Sequence, residues 1–160
     1  MIGNSTIVID VEKASSSKID SVDFQNLVFG NIFTDHMLEC DYENGEWQKP
    51  VVKPYGPFSL MPSAKVFHYG QAIFEGMKAF KDDDDKVWLF RPEANFERFN
   101  ISSKRLAIPE IPKSIFLAGL EKLLNLDREW IKPGAGNSLY IRPFVIATEA
   151  GVSAAPSTKY

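Results

Sequence analysis

The sequence predicts an α+β fold, a largely antiparallel sheet with helices packed on it. Three observations predict it. Short β-compatible runs are separated by tight-turn signals, two later segments carry apolar residues at helical spacing, and the order β-β, α, β-β, α, α, β lacks the strand–helix alternation of a parallel sheet. With 160 residues, 44% of them hydrophobic, the chain can bury one core of ordinary size.

Residues 1–26 are polar and serine-rich around Ala14-Ser15-Ser16-Ser17-Lys18, which reads as an arm packed on another element. Phe33–Asp41 and Trp47–Lys53 are β-compatible, and Asn44-Gly45 between them is a strong hairpin signal. A loop punctuated by Pro and Gly spans 54–62, and a short helix is expected from about His68 through Phe74. Met77–Phe80 and Val87–Phe90 read as a second hairpin. Four adjacent carboxylates, Asp82 to Asp85, would repel one another inside a packed element, so they belong at its exposed tip. Pro92 opens a helix to about Leu106, since proline suits the first helical turn. A second helix runs from about Ser114 to Trp130, with Phe116, Leu120, Leu123 and Leu124 on one side, and a long strand is expected over Ser138–Thr148.

Composition narrows the function. The net charge of −3 offers no basic excess for a nucleic-acid backbone. Cys40 is the only cysteine, so no disulfide forms within the chain, and His36 and His68 have no metal-ligand spacing. Neither a signal peptide nor a run near the ~20 apolar residues of a membrane span is visible, and the expected setting is cytoplasmic, away from membranes and nucleic acid.

Three constellations could carry chemistry. In a strand, Tyr140 and Arg142 share a face, where a guanidinium beside a phenol can receive a carboxylate or hold the hydroxyl in place; an amphipathic strand with a solvated arginine has the same spacing. Arg98, Ser102 and Arg105 fall on one helical face and could serve a phosphate, or form a plain solvent-facing stripe. Gly70 and Gly76 bracket an apolar turn bearing Tyr69 and Phe74, with Glu75 as an acid–base group or a structural partner.

The combination is more specific than its parts. Phe29-Gly30-Asn31-Ile32-Phe33-Thr34-Asp35-His36-Met37 resembles the opening strand of branched-chain amino-acid aminotransferases. The same family is resembled by His68-Tyr69-Gly70-Gln71-Ala72-Ile73-Phe74-Glu75-Gly76-Met77-Lys78-Ala79-Phe80 and by Leu89-Phe90-Arg91-Pro92 with Asn95 and Arg98. Leu126-Asp127-Arg128-Glu129-Trp130 and Leu139-Tyr140-Ile141-Arg142-Pro143 complete a series that covers roughly residues 24–149.

The resemblance implies the small domain of the type IV pyridoxal-phosphate fold over 27–149, with 150–160 starting an interdomain linker. It implies that Arg98 contacts the cofactor phosphate and that Phe29, Tyr69, Phe74 and Tyr140 wall the substrate pocket. Arg142 would orient the pocket tyrosines near the substrate carboxylate. The reaction would move an amino group between leucine, isoleucine or valine and 2-oxoglutarate, in a homodimer. The cofactor lysine belongs to a C-terminal domain; Lys53, Lys65, Lys78 and Lys104 do not match its motif, so these residues alone are expected to be inactive. Gly151–Ala155 does not align cleanly with the family's pocket loop, so the resemblance assigns none of these residues a role. D-amino-acid aminotransferases and aminodeoxychorismate lyases share the fold, but the long opening segment and Tyr140-Ile141-Arg142-Pro143 disfavour them. The rival from another class is a binding or dimerisation domain without catalysis.

Overall fold

The computed structural model describes residues 7–160, so the first residues of the expected arm lie outside the described part. In chain order the first elements are β1 (Asp10–Val11), β2 (His36–Glu39), β3 (Tyr42–Glu43), β4 (Glu46–Trp47), β5 (Val51–Pro54) and α1 (Lys65–Tyr69). Then come β6 (Ala72–Phe74), β7 (Met77–Lys81), β8 (Val87–Leu89), α2 (Pro92–Arg105), α3 (Lys113–Leu126), β9 (Leu139–Ile141) and β10 (Phe144–Ile146). The α+β class holds, and every strand pairing but one is antiparallel. The strands are distributed over four small sheets, β1-β5-β2, β3-β4, β8-β7-β9 and β10-β6, and only β1 with β5 is parallel.

Residues 10–18 pack on the β2–β5 sheet and its approach. β1 extends the β5 edge, Ala14 N–H donates to His36 Nε2 at 2.8 Å, and Ser17 and the Lys18 N–H both donate to Asp35. The β3-β4 hairpin turns at Asn44-Gly45, both with positive φ, as its sequence demands. The run Trp47–Lys53 divides because Pro50 has no N–H for a ladder. Phe33–Asp41 contributes only His36–Glu39, and Phe29 to Asp35 forms turns and loop in place of an opening strand.

Two expectations are corrected where the backbone is locally constrained. The helix placed over His68–Phe74 is α1, which lies earlier and stops at Gly70 in the left-handed conformation, φ 62°. Ala72–Phe74 is then a strand paired with β10. The long strand expected over Ser138–Thr148 is two strands, and Arg142-Pro143 is the break. β9 pairs with β7 and β10 with β6, so the proline sits where the chain changes sheets. The second helix ends at Leu126, with a separate 3₁₀ turn over Arg128–Trp130.

The core lies between these sheets and the α2–α3 pair. Phe99 of α2 meets Phe116 of α3, with Leu120, Leu124, Ile73, Met77 and Val145 around them. Gly119 in α3 gives Leu38 of β2 its space, where a Cβ would collide with the leucine side chain. Residues 150–160, expected as a linker, lie against the domain. Tyr160 is buried, and its backbone exchanges two hydrogen bonds with Tyr42. The Asp82–Lys86 tip is an exposed turn. Asp82 accepts from the Asp84 and Lys86 amides and the Trp88 indole, which together hold its carboxyl below the usual range.

Candidate active site

The bend between β6 and β7 brings three elements together. Glu75 is buried at this bend, with its N–H bonded to the Pro143 carbonyl at 2.8 Å. Its carboxylate accepts the Gly76 N–H at 2.7 Å and takes two bonds from Arg98 of α2, Nε at 2.6 Å and Nη2. Burial pushes the Glu75 carboxyl up, but the Arg98 hydrogen bonds, the Gly76 N–H and the Arg98 charge prevail and hold it below the usual range. Asn95, one turn before Arg98, donates to the Gly76 carbonyl at 3.3 Å. Glu75 is therefore an ionised structural partner; its oxygens are committed, which leaves the acid–base reading behind.

Arg98 remains accessible while being fixed. Two of its nitrogens face Glu75, and Nη1 makes no hydrogen bond among the described residues. A guanidinium oriented by a buried carboxylate, with one edge open, suits an anion arriving from solvent. Ser102 and Arg105 follow on α2, and Arg105 makes no ion pair among the described residues.

The aromatic residues assemble around the β9–β10 break. Arg142 donates to the Tyr140 hydroxyl from Nη2 at 2.8 Å and from Nε at 3.1 Å, and its Cζ lies 4.4 Å above the Phe74 ring. Phe29 meets the Tyr140 ring edge-on at 5.0 Å. Gly76 admits Tyr140: a Cβ at that position would collide with the phenol oxygen. Phe29, Phe74, Tyr140 and Arg142 thus form one connected group, and Gly76 ties it to the Glu75–Arg98 pair. Tyr69 stands outside this chain of contacts; its hydroxyl donates to the Val152 carbonyl.

Phe29 is 74% exposed and Phe74 65% exposed, so the group is an open face. Two formed surface clefts lie elsewhere, one beside Trp47, Pro109 and Pro112, the other beside Asp82 and Lys132. The face offers a fixed cation, a second cation against a phenol, and apolar rings, which together suit an anionic group joined to an apolar body. Among the described residues no cluster of His, Cys, Asp or Glu could hold a metal, and no helix is long and apolar enough to cross a membrane.

Sequence reasoning singled out Gly76 and Asn95 but gave neither a partner, and it left Glu75 unassigned as the partner of Arg98 and Val152 without a role. A carboxylate next to glycine in an apolar run is a signal for a buried, cation-paired acid. Nothing in the spacing identifies which cation.

No family model matches the chain. Curated relatives do. The chain is 48% identical over 147 residues to Branched-chain-amino-acid aminotransferase 2 of Bacillus subtilis (strain 168), covering 91% of this chain and 40% of that protein. The Branched-chain-amino-acid aminotransferase of Mycolicibacterium smegmatis is 46% identical over 157 residues, 97% of this chain and 42% of the relative. The chain is homologous to part of the branched-chain aminotransferases. It spans about 40% of the length of these relatives. The fold agrees. The Escherichia coli branched-chain amino acid aminotransferase superposes with a TM-score of 0.54 at 18% identity, over 77% of this chain and 38% of the enzyme. The Thermoproteus uzoniensis branched-chain aminotransferase, solved with norvaline, gives 0.52 at 18% identity, over 74% of this chain and 36% of that one.

Proposed function

We propose that this chain forms the small-domain side of a pyridoxal-phosphate-dependent aminotransferase that moves an amino group between leucine, isoleucine or valine and 2-oxoglutarate. The observation that carries the reading is the 48% identity, over 91% of the chain, to an enzyme named for branched-chain amino acids. Residues 27–149 are the domain, 1–26 its arm, and 150–160 lead toward a second domain that supplies the cofactor lysine. A homodimer in the cytoplasm belongs to the same reading. The exposed rings of Phe29 and Phe74 support it, because apolar faces of this kind are commonly covered in an assembly.

The residues fit the cofactor. Arg98 presents an open guanidinium edge to solvent, held by Glu75, and a phosphate dianion matches that donor set. Pyridoxal phosphate supplies the electron sink for amino transfer when bound. This chain's residues bind and orient: Arg98 holds the phosphate, and Phe29, Tyr69, Phe74 and Tyr140 shape an apolar wall for a branched side chain. Arg142 fixes the Tyr140 hydroxyl and places a positive charge near the substrate carboxylate. Such a wall separates substrates differing by one methylene by only about 1–3 kcal/mol, so all three branched-chain amino acids are accepted.

The test uses the complete protein with pyridoxal phosphate, 2-oxoglutarate and each branched-chain amino acid, following glutamate. Glutamate with all three and none with D-alanine is the expected result; no glutamate with any of the three overturns the reading. Arg98→Ala should retain cofactor about tenfold to a hundredfold less tightly, the worth of a charge-assisted hydrogen bond, and Arg98→Lys should recover only part of the loss.

A further inference from the structure

Lys65 is 2% exposed, an unusual place for an ammonium, and all three of its donors are used. They meet the Ala155 carbonyl at 2.9 Å, the Pro156 carbonyl at 3.2 Å and the Glu149 carboxylate at 3.0 Å. The backbone doubles the attachment. Lys65 N–H donates to the Glu149 carbonyl at 3.0 Å, Val66 N–H to Ala147 at 3.1 Å, and Gly151 N–H to Ser63 at 2.9 Å. Glu149 also accepts the Thr158 amide and hydroxyl. Both ends of a loop are thus gathered at one ammonium, while Val152 to Pro156 are themselves exposed. One turn along α1, Tyr69 donates to the Val152 carbonyl, one residue after Gly151. Lys65 and Tyr69 are four residues apart on one helical face, so a single face of α1 holds the loop at both ends, at Val152 and at Ala155–Pro156.

Desolvating an ammonium offsets much of what its contacts return, so a buried lysine is weak evidence for a gain in stability. A charge kept in such a place is suited to selecting one conformation of the polar backbone it binds. We propose that Lys65 is a positioning residue: it fixes the 151–156 loop and, through the Val152 carbonyl, the Tyr69 hydroxyl, so that Tyr69 presents one orientation to substrate. The importance of Tyr69 rests on the proposed function; the clamp itself does not.

The experiment compares the complete protein with its Lys65→Met, Lys65→Arg, Glu149→Gln and Tyr69→Phe variants. Lys65→Met should exchange the amides of residues 151–158 about tenfold to a hundredfold faster and shift the Tyr69 ring resonances, with the denaturant midpoint lowered less than in Lys65→Ala. Lys65→Arg should restore part of the protection. Glu149→Gln, which keeps the buried ammonium, should loosen the same amides less. KM for the amino acid should rise about threefold to tenfold in Lys65→Met, with kcat less affected. Lys65→Met with Tyr69→Phe should be no worse than the poorer single variant, because both act on one contact. Unchanged exchange in Lys65→Met and Glu149→Gln overturns the clamp. Faster exchange with additive KM effects, or with unmoved Tyr69 resonances, overturns the action through Tyr69. Wild-type protein that does not turn over branched-chain amino acids refutes the proposed function separately; exchange and the Tyr69 resonances then still decide the clamp.

Discussion

Two ion pairs stand on opposite arrangements of burial. In one, an Arg98 side chain 65% exposed reaches in to a Glu75 that is 5% exposed. In the other, a Lys65 side chain 2% exposed reaches out to a Glu149 that is 26% exposed. The buried member determines what each pair can do. A buried carboxylate pins a cation that still faces solvent, so Arg98 is oriented and available to another anion. A buried ammonium has spent its donors on the chain's own backbone, so Lys65 is unavailable to a ligand and acts as a tie. Both pairs join a cation to a carboxylate; the direction of burial decides whether the cation stays open to solvent or is spent on the fold.

The largest effect should come from truncating the tie. Lys65→Ala removes a large buried side chain and should cost about 2–5 kcal/mol in denaturant unfolding, whereas Lys65→Met, which keeps the volume, should cost distinctly less. A methionine variant as unstable as the alanine one would mean that the charge carries stability, and the contrast between the pairs would break. Next, Arg98→Ala should leave Glu75 buried without its counter-cation. Carboxyl NMR titration should find Glu75 protonating at higher pH than in the wild type, where Arg98 and the Gly76 amide hold its carboxyl low. An unmoved titration would show that the Gly76 amide suffices alone.

A smaller, local effect should follow pH. The Thr158 amide, Lys65 and the Thr158 hydroxyl lower the Glu149 carboxyl from 4.5 to about 2. A carboxyl lowered by folding contributes stability above its unfolded value and loses it as pH falls through the folded value. Protection of the Gly151 and Thr158 amides should therefore be full above about pH 5 and decline toward pH 2. Glu149→Gln should flatten that profile; a wild-type profile already flat would remove Glu149 from the tie. The smallest effect belongs to Arg142, an exposed cation whose partner is the neutral Tyr140 hydroxyl. Tyr140→Phe should cost only about 0.5–1.5 kcal/mol in unfolding, because the guanidinium keeps its place over Phe74 and gains water. A larger loss would rank this contact with the buried pairs.

The sequence by itself determined the α+β class, the Asn44-Gly45 and Asp82–Asp85 turns and the two long helices. Each depends on neighbours within a few residues, where periodicity and turn chemistry act. The resemblance of its motifs also pointed to the family that the curated relatives bear out. Tertiary structure decided the rest. Gly70 stops α1 early because its left-handed backbone is available to glycine, but only the pairing of β6 with β10 makes Ala72–Phe74 a strand. Pro143 signalled a defect in one strand, and only the sheet arrangement turned that defect into a crossing between sheets. Glu75 with Arg98, and Lys65 with residues 149–156, join segments far apart in the chain, where no local spacing records the contact. The fold sets which member of each pair loses its water, and with it whether the exposed partner can meet a ligand.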